Sequence, residues 1–482
     1  MPQYTRRRLI ATGLGVATIS ASAGCLGDSN SAPQPTARRD PRRARSRRRR
    51  ARVTVDGPGT DPASSGPQPY EYVIIGGGIH GTCLANYLLA ESGHTHQDLC
   101  LVEPREQLLA SFATKARQCG MRTLRSTFVH HIDTEPFSLE SFAEGADRED
   151  ELVSTEDYLS RPTLKLFLDH ARYVINRRDI DDCHLQSRVT GVTRTGADDL
   201  LEVQTDAGTL EARHVVLAIG LGGPRTVPAW STSLPEDAPL AHVWDDEFDP
   251  TTAAEFSGQT FVVGGGITAA QLACSLSEHT DVTLLSRHDL EFELTEADPY
   301  WINWRHIEQE IHTLPSGSKA RLDRIRAVRN DAMIPPYVER RLNEACDCDG
   351  LDIRRGEITS AYATDDGLLV RFDDGTTATN AQVVLATGLD PVPEHPVVGS
   401  VAESLSLERG ADGFPILDDR TLAWRGTDGT RSAVYVSGAL AEPSVGPFAR
   451  NIVGARRVAE RLLASRQGPG SERAPSAARG RS

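Results

Sequence analysis

Lysine is nearly missing from this chain of 482 residues: Lys115, Lys165 and Lys319 are the only three among 52 basic residues. The eight Cys include no CxxC pair; only Cys346 and Cys348 stand close together, so neither a zinc ribbon nor a disulfide framework is indicated. The most apolar N-terminal stretch, Leu9 to Gly24, is too short and too rich in Gly, Ala, Ser and Thr for a membrane span, which takes about 20 predominantly apolar residues. Aromatic residues are scarce at 6 %, whereas hydrophobic residues reach 39 % and glycines number 41. That balance excludes a fibrous repeat and wholesale disorder, and the length allows two or three globular domains with close backbone contacts.

Charge is distributed unevenly. Residues 1–52 hold thirteen Arg against two Asp, which leaves residues 53–482 at a net charge of −26. A body so acidic has no face with which to neutralise phosphates, so nucleic acid is excluded as its partner. A Lys-poor, acidic surface is a halophilic composition, suited to high ionic strength where self-repulsion is screened.

The N-terminus carries Thr5-Arg6-Arg7-Arg8, a mild apolar stretch and Ser22-Ala23-Gly24-Cys25. Residues 1–25 resemble a twin-arginine signal with a lipobox. Residues 26–69, with the Arg-dense run from Arg38 to Arg52, read as a disordered linker, and residues 466–482 as a disordered tail. Two locations are compatible with this terminus: the outer face of the cell membrane through an N-terminal lipid anchor, or the cytoplasm if the start is miscalled.

Downstream the pattern becomes regular. Tyr72–Ile75 is a β-branched run, Gly76-Gly77-Gly78-Ile79-His80-Gly81 comes next, then a helical pattern, then an apolar run from Leu99 that ends at Glu103. Strand, GxGxxG, helix, strand and acid together predict a dinucleotide site. Gly76 makes the tight turn, Gly78 lets a pyrophosphate approach, Gly81 allows close helix packing, and Glu103 accepts from a ribose hydroxyl. The pattern returns as Thr260–Val263, Gly264-Gly265-Gly266-Ile267-Thr268-Ala269, a helix and a strand closing at Ser286-Arg287. A basic residue there pairs with a 2′-phosphate, so the second site is expected to prefer NADP to NAD.

Leu201–Gly220 and Leu368–Gly388 repeat one another as hairpins that run into an apolar strand. Each dinucleotide unit therefore ends alike, and Ala433–Leu463, with Gly438, closes the first after the second has intervened. This order resembles the two-dinucleotide-domain flavoproteins. The resemblance implies an α/β fold of two Rossmann-like domains, the NADP domain (251–390) inserted in an FAD domain (70–250 and 391–465). The implied cofactors are FAD and NADPH.

More specific motifs point to a family. Leu385-Ala386-Thr387-Gly388-Leu389 resembles the linker of class B flavin monooxygenases, with Thr387 and Gly388 at the cofactor. Met121–Ser126, Asp133–Phe142, Arg161–Phe167 and Asp298–Asn303 are similar to segments of the lysine and ornithine N-monooxygenases of siderophore synthesis. The resemblance implies a monooxygenase working through a flavin hydroperoxide on oxygen and a small nucleophilic substrate such as an amine. It also implies Asn303 where nicotinamide and the amine meet, and Arg122 and Arg125 at a substrate carboxylate or the flavin edge. A helix-capping Asn and surface ion pairs are the alternative roles for these three. The chain departs from the family where Arg122 replaces Gln, Thr127 replaces Lys and Trp304 replaces Glu. Two other functions stay open: a flavin dehydrogenase or oxidase without oxygen insertion, and a non-catalytic flavin or NADP sensor.

Other features carry less. His242-Val-Trp244 has the wrong spacing for a Baeyer–Villiger fingerprint, Cys119 reads as a buried thiol, and no metal site is expected. His130-His131, read as strand neighbours, would face opposite ways. Pro299–Ala345 is expected to be a helical, Arg-rich cover over the active site or an oligomer face.

Overall fold

A computed structural model describes residues 68–155, 158–196, 199–221, 223–330 and 333–466. The twin-arginine-like segment, the Arg run and the tail beyond residue 466 lie outside them.

Two mainly parallel sheets organise the described chain. The first, eight-stranded, runs in the order Ala423–Arg425, Arg431–Val436, Gly208–Leu217, Tyr70–Ile75, Leu99–Glu103 and His184–Gln186, with the hairpin Val189–Arg194 and Leu201–Thr205 attached to Gly208–Leu217. The second, seven-stranded, runs Leu351–Arg355, Val282–Ser286, Gln259–Val263, Thr377–Leu385, Gly367–Phe372 and Ile358–Thr364, with Leu240–His242 beside Thr377–Leu385. Every strand of the second sheet falls in sequence between strands of the first. The architecture is thus two α/β units, one inserted in the other.

The central strands are apolar because both their faces are covered. Tyr72, Val73 and Ile74 have no exposure, and neither do Leu101 or Val216 beside them. Register sets where these strands end. Ile75 pairs with both Val102 and Leu217, so three parallel strands stop at one level. Val263 likewise pairs with Leu285 and Leu385. Ligands of open parallel sheets gather at such carboxyl ends, where helix N-termini also point. Helix Ile79–Glu91 leaves the first edge, packed against the last helix, Ile452–Arg466, and helix Ile267–Leu276 leaves the second.

The segment 299–345 does not form one continuous cover. It breaks into a short 3₁₀ turn and helices Trp304–Glu310, Lys319–Val328 and Pro336–Asp347, because Pro315 and the pair Pro335-Pro336 remove the amides a continuous helix needs. These helices are held to the closing segment by buried ion pairs. Arg321, 1 % exposed, grips Asp419 at 2.7 and 3.0 Å, and Glu442 receives Arg329 at 2.9 Å and Arg450 at 2.7 Å. His130 and His131 lie in a loop, not a strand, and His131 is fully buried. Among the described residues no helix is long and apolar enough to cross a membrane, and no group of three His, Cys, Asp or Glu could hold a metal.

Candidate dinucleotide clefts

A cleft of about 570 Å³ opens where the first sheet ends. Its floor is the glycine loop. Gly76 takes φ +111°, and a Cβ there would meet the Ala218 carbonyl oxygen at 2.5 Å. At Gly81 a Cβ would come within 1.8 Å of the Gly76 carbonyl oxygen, so only glycine lets the helix sit against the turn. Gly78 differs from both. Nothing lies within 4 Å of a Cβ built on it, and it begins a 13-residue helix without a side-chain cap. Free N–H groups at an open helix start form a cradle for phosphate.

Glu103 closes the second strand with 6 % exposure and stands on the cleft wall. Its carboxylate accepts from the Gly77 amide at 2.9 Å and from the Arg105 amide at 3.1 Å. Gly438 takes φ +77° and is buried behind the lining residues; a Cβ there would lie 3.7 Å from the Gly220 carbonyl oxygen and 3.8 Å from the His80 ring. His80 joins these parts: its Nδ1 is 2.8 Å from Ser437 Oγ and its Nε2 is 3.3 Å from the Arg450 carbonyl oxygen. Burial pushes His80 down to about 4, so the ring stays neutral.

The cleft continues toward the inserted unit along Met121, Leu124, Arg125, Glu296 and Ile452. Arg125 reaches across that seam, donating to the carbonyls of Leu294 at 3.2 Å and Glu293 at 3.1 Å, with Glu296 at 3.9 Å. Arg122 is elsewhere, half-exposed and ion-paired with Glu278 outside the cleft. Asn303 is exposed and caps helix Trp304–Glu310, accepting from the Arg305 amide at 3.0 Å; it is not among the cleft's lining residues. Sequence reasoning did not single out Glu296, His80 or Arg450, because each acquires its position from chain segments far away.

The second loop repeats the first. Gly264 has φ +154° and a Cβ there would meet the Ala386 carbonyl oxygen at 2.5 Å. Gly266 begins the ten-residue helix Ile267–Leu276, again without a side-chain cap, and fully buried Ala269 fills the third glycine position. Ser286 is buried at its strand end and Arg287 beyond it is exposed. Thr387 donates to the Thr226 carbonyl at 2.5 Å, and the Gly388 carbonyl accepts from the Thr226 amide at 3.1 Å. The two crossings between units therefore run side by side.

One further buried polar group has the composition of a nucleophilic centre. Ser138 Oγ contacts both Asp133 and His170 Nε2. Burial raises Asp133, but hydrogen bonds from Ser138 and Arg177 outweigh it and hold the carboxyl below its ordinary range. An ionised Asp133 accepts the hydrogen bond of the Ser138 hydroxyl, so His170 Nε2 donates to that oxygen and cannot act as its base. The group is structural.

Residues 73–222 match the model of an FAD-NAD(P)-binding family. The fold is shared with an ornithine N-hydroxylase of Kutzneria sp. 744, solved with reduced FAD, NADP+ and L-ornithine (TM-score 0.65, 18 % identity, covering 83 % of this chain and 99 % of that one). It is shared also with the FAD-bound cadaverine monooxygenase of Erwinia amylovora (0.64, 15 %, 82 % and 94 %). A third match is the L-lysine 6-monooxygenase of Pseudomonas syringae (0.62, 20 %, 82 % and 98 %). No curated protein matches by sequence.

Proposed function

We propose that this chain, built on the fold of the lysine and ornithine N-hydroxylases, is an FAD- and NADPH-dependent monooxygenase acting on a small amine-bearing substrate. One observation carries the reading: two glycine loops, each opening a helix without a side-chain cap, stand at the ends of two parallel sheets in one body, the first bordered by an acid, Glu103, and the second by a base, Arg287. Such loops fit two dinucleotides of different ribose chemistry.

The residues present fit FAD in the first cleft. Gly78 and the amides after it would hold the pyrophosphate, and Glu103 would exchange an amide partner for a ribose hydroxyl. Arg287 would pair with the 2′-phosphate of NADPH, which an acid at that place would repel. Bound FAD supplies the redox and oxygen chemistry; the protein supplies position, dryness and charge. Met121, Leu124 and Ile452 present apolar surface that excludes water from the far end of the cleft. Glu296 on the same wall is placed to accept a proton from an ammonium group, leaving the nitrogen lone pair free to react. The lack of a CxxC pair speaks against a dithiol reductase on a related fold.

The test is rapid mixing of the full chain, loaded with FAD, first with NADPH under nitrogen and then with oxygen. Bleaching and then an absorbing species distinct from both oxidised and reduced flavin is the expected result. Immediate return of oxidised flavin favours an oxidase or dehydrogenase, and no bleaching favours a sensor.

A further inference from the structure

We propose that Arg161 and the first turn of helix Pro336–Asp347 form an oxyanion site at the seam between the outer and the inserted unit. Arg161 is 4 % exposed. It sits on the short strand Arg161–Pro162, paired with Leu152–Val153, and its Cζ lies 3.8 Å from the ring centre of Tyr337. Its Nε is enclosed without a hydrogen-bond partner, and among the described residues no carboxylate forms an ion pair with it.

Other buried arginines of the chain are treated differently. Arg321 has Asp419, Arg329 has Glu442, and Arg457 donates to the carbonyls of Val445 and Trp301. Arg161 has an aromatic face and nothing anionic. Its surroundings add positive potential. Burial lowers its proton affinity, the Tyr337 phenol opposes this, and Arg340 lowers it further; Arg125 acts on the same phenol. Tyr337 is the second residue of a 12-residue helix; Pro336 has no N–H, and the Val338 and Glu339 amides donate to the Pro335 carbonyl at 2.8 and 3.1 Å, so the Tyr337 amide is the one the turn can offer outward. A buried guanidinium set against the ring of a residue in the first turn of a helix, with no carboxylate beside it, is unfavourable by itself and favourable around an anion.

The planar fork of Arg161 suits two oxygens of one group, which a carboxylate or a phosphate provides. Because Arg125 also lines the cleft, the anion is either free or the acidic end of a molecule entering from that side. The site stands on geometry that does not depend on the proposed redox activity.

Thermal unfolding of the full chain, with FAD and NADP+ present to fill the glycine loops, tests it. Phosphate and acetate are titrated separately against chloride at matched ionic strength. A saturable rise in Tm is expected in the unaltered chain, with R161M weakening the response on the order of tenfold, as for one lost charged hydrogen-bond partner. R340Q, at an exposed position, is expected to weaken it several-fold while leaving the fold intact, which covers a failure of R161M to fold. Saturation at lower acetate than phosphate assigns a carboxylate-bearing ligand, and the reverse assigns a phosphate. The proposal is overturned if neither anion saturates, or if both variants respond as the unaltered chain does.

Discussion

His80 and Ser437 lie 357 residues apart in sequence and 2.8 Å apart in space. The Arg450 carbonyl can only accept, so His80 Nε2 carries the proton and Nδ1 accepts from the Ser437 hydroxyl. One neutral ring thus ties the first glycine loop to both sides of the closing segment, beside Gly438. A proton added at Nδ1 would remove its lone pair, so the Ser437 hydroxyl would have to turn and accept, at the cost of a charge in a buried site.

Acid is expected to weaken the fold before it titrates the carboxylates, through histidines that are buried neutral. Burial pushes His80 and His170 down to about 4 and His131 to about 3. The unfolded chain binds these protons first as pH falls, so the stability they contribute is complete above about 6.5 and declines toward 4. His80 and His170 each amount to about 3 kcal/mol at the acid end, and His131 to about 5 kcal/mol. Asp133, held low, loses its contribution only at more acidic pH. The urea midpoint should fall between pH about 7 and 5, and less steeply in His80→Gln; a midpoint constant over that range would sink the prediction.

Two glycines three residues apart should fail differently. Gly81→Ala forces a Cβ into the Gly76 carbonyl and should yield little folded protein. Gly78→Val meets nothing in the protein, so its circular dichroism and melting should match the parent while flavin content drops severely. Equal flavin content in Gly78→Val and the parent would argue against a pyrophosphate at this loop.

Coenzyme choice is expected to rest on Arg287. Removing one charge-assisted contact to a 2′-phosphate costs about 1.5–3 kcal/mol, so Arg287→Ala should lower the NADPH-to-NADH ratio of kcat/KM by roughly 10- to 100-fold. A ratio that does not move places the phosphate elsewhere.

The inserted unit should depend on Glu442, which is 4 % exposed and holds Arg329 and Arg450 together. Glu442→Ala takes one buried anion away from two arginines at once and should destabilise the chain by about 3–5 kcal/mol in chemical denaturation. A loss below about 1 kcal/mol would mean that the pair is replaced by water or by another acid.

Salt should stabilise the protein. With −26 charges on residues 53–482, repulsion acts over about 10 Å at 0.1 M salt and about 3 Å at 1 M. The melting temperature should rise with potassium chloride across that range; a flat or falling curve would show that local ion pairs outweigh the net charge.

Much of the fold is legible in the sequence because its signals are local. The two glycine loops, the apolar runs beside them and the repeated hairpins predict two parallel α/β units, and the order of the motifs predicts that one is inserted in the other. The helical character expected over Pro299–Ala345 is present but divided among separate helices, since amphipathic periodicity persists across Pro315 and Pro335-Pro336 while the hydrogen-bond ladder does not. His130-His131 likewise read as strand residues and form a loop.

Side-chain destinations are legible only where the backbone dictates them. Glu103 and Arg287 sit at strand ends a fixed distance from a glycine turn, so their positions can be read by counting. Arg122, drawn away to Glu278, and Asn303, committed to a helix cap, depend on partners 156 and two residues distant that compete for the same groups. The sequence by itself determined the loops, the nesting of the units and the charge, because these arise from residue type and spacing. Tertiary structure alone decided which polar groups face the cleft, because Glu296, His80 and Arg450 owe their surroundings to segments that meet only when both sheets and the closing helix have packed.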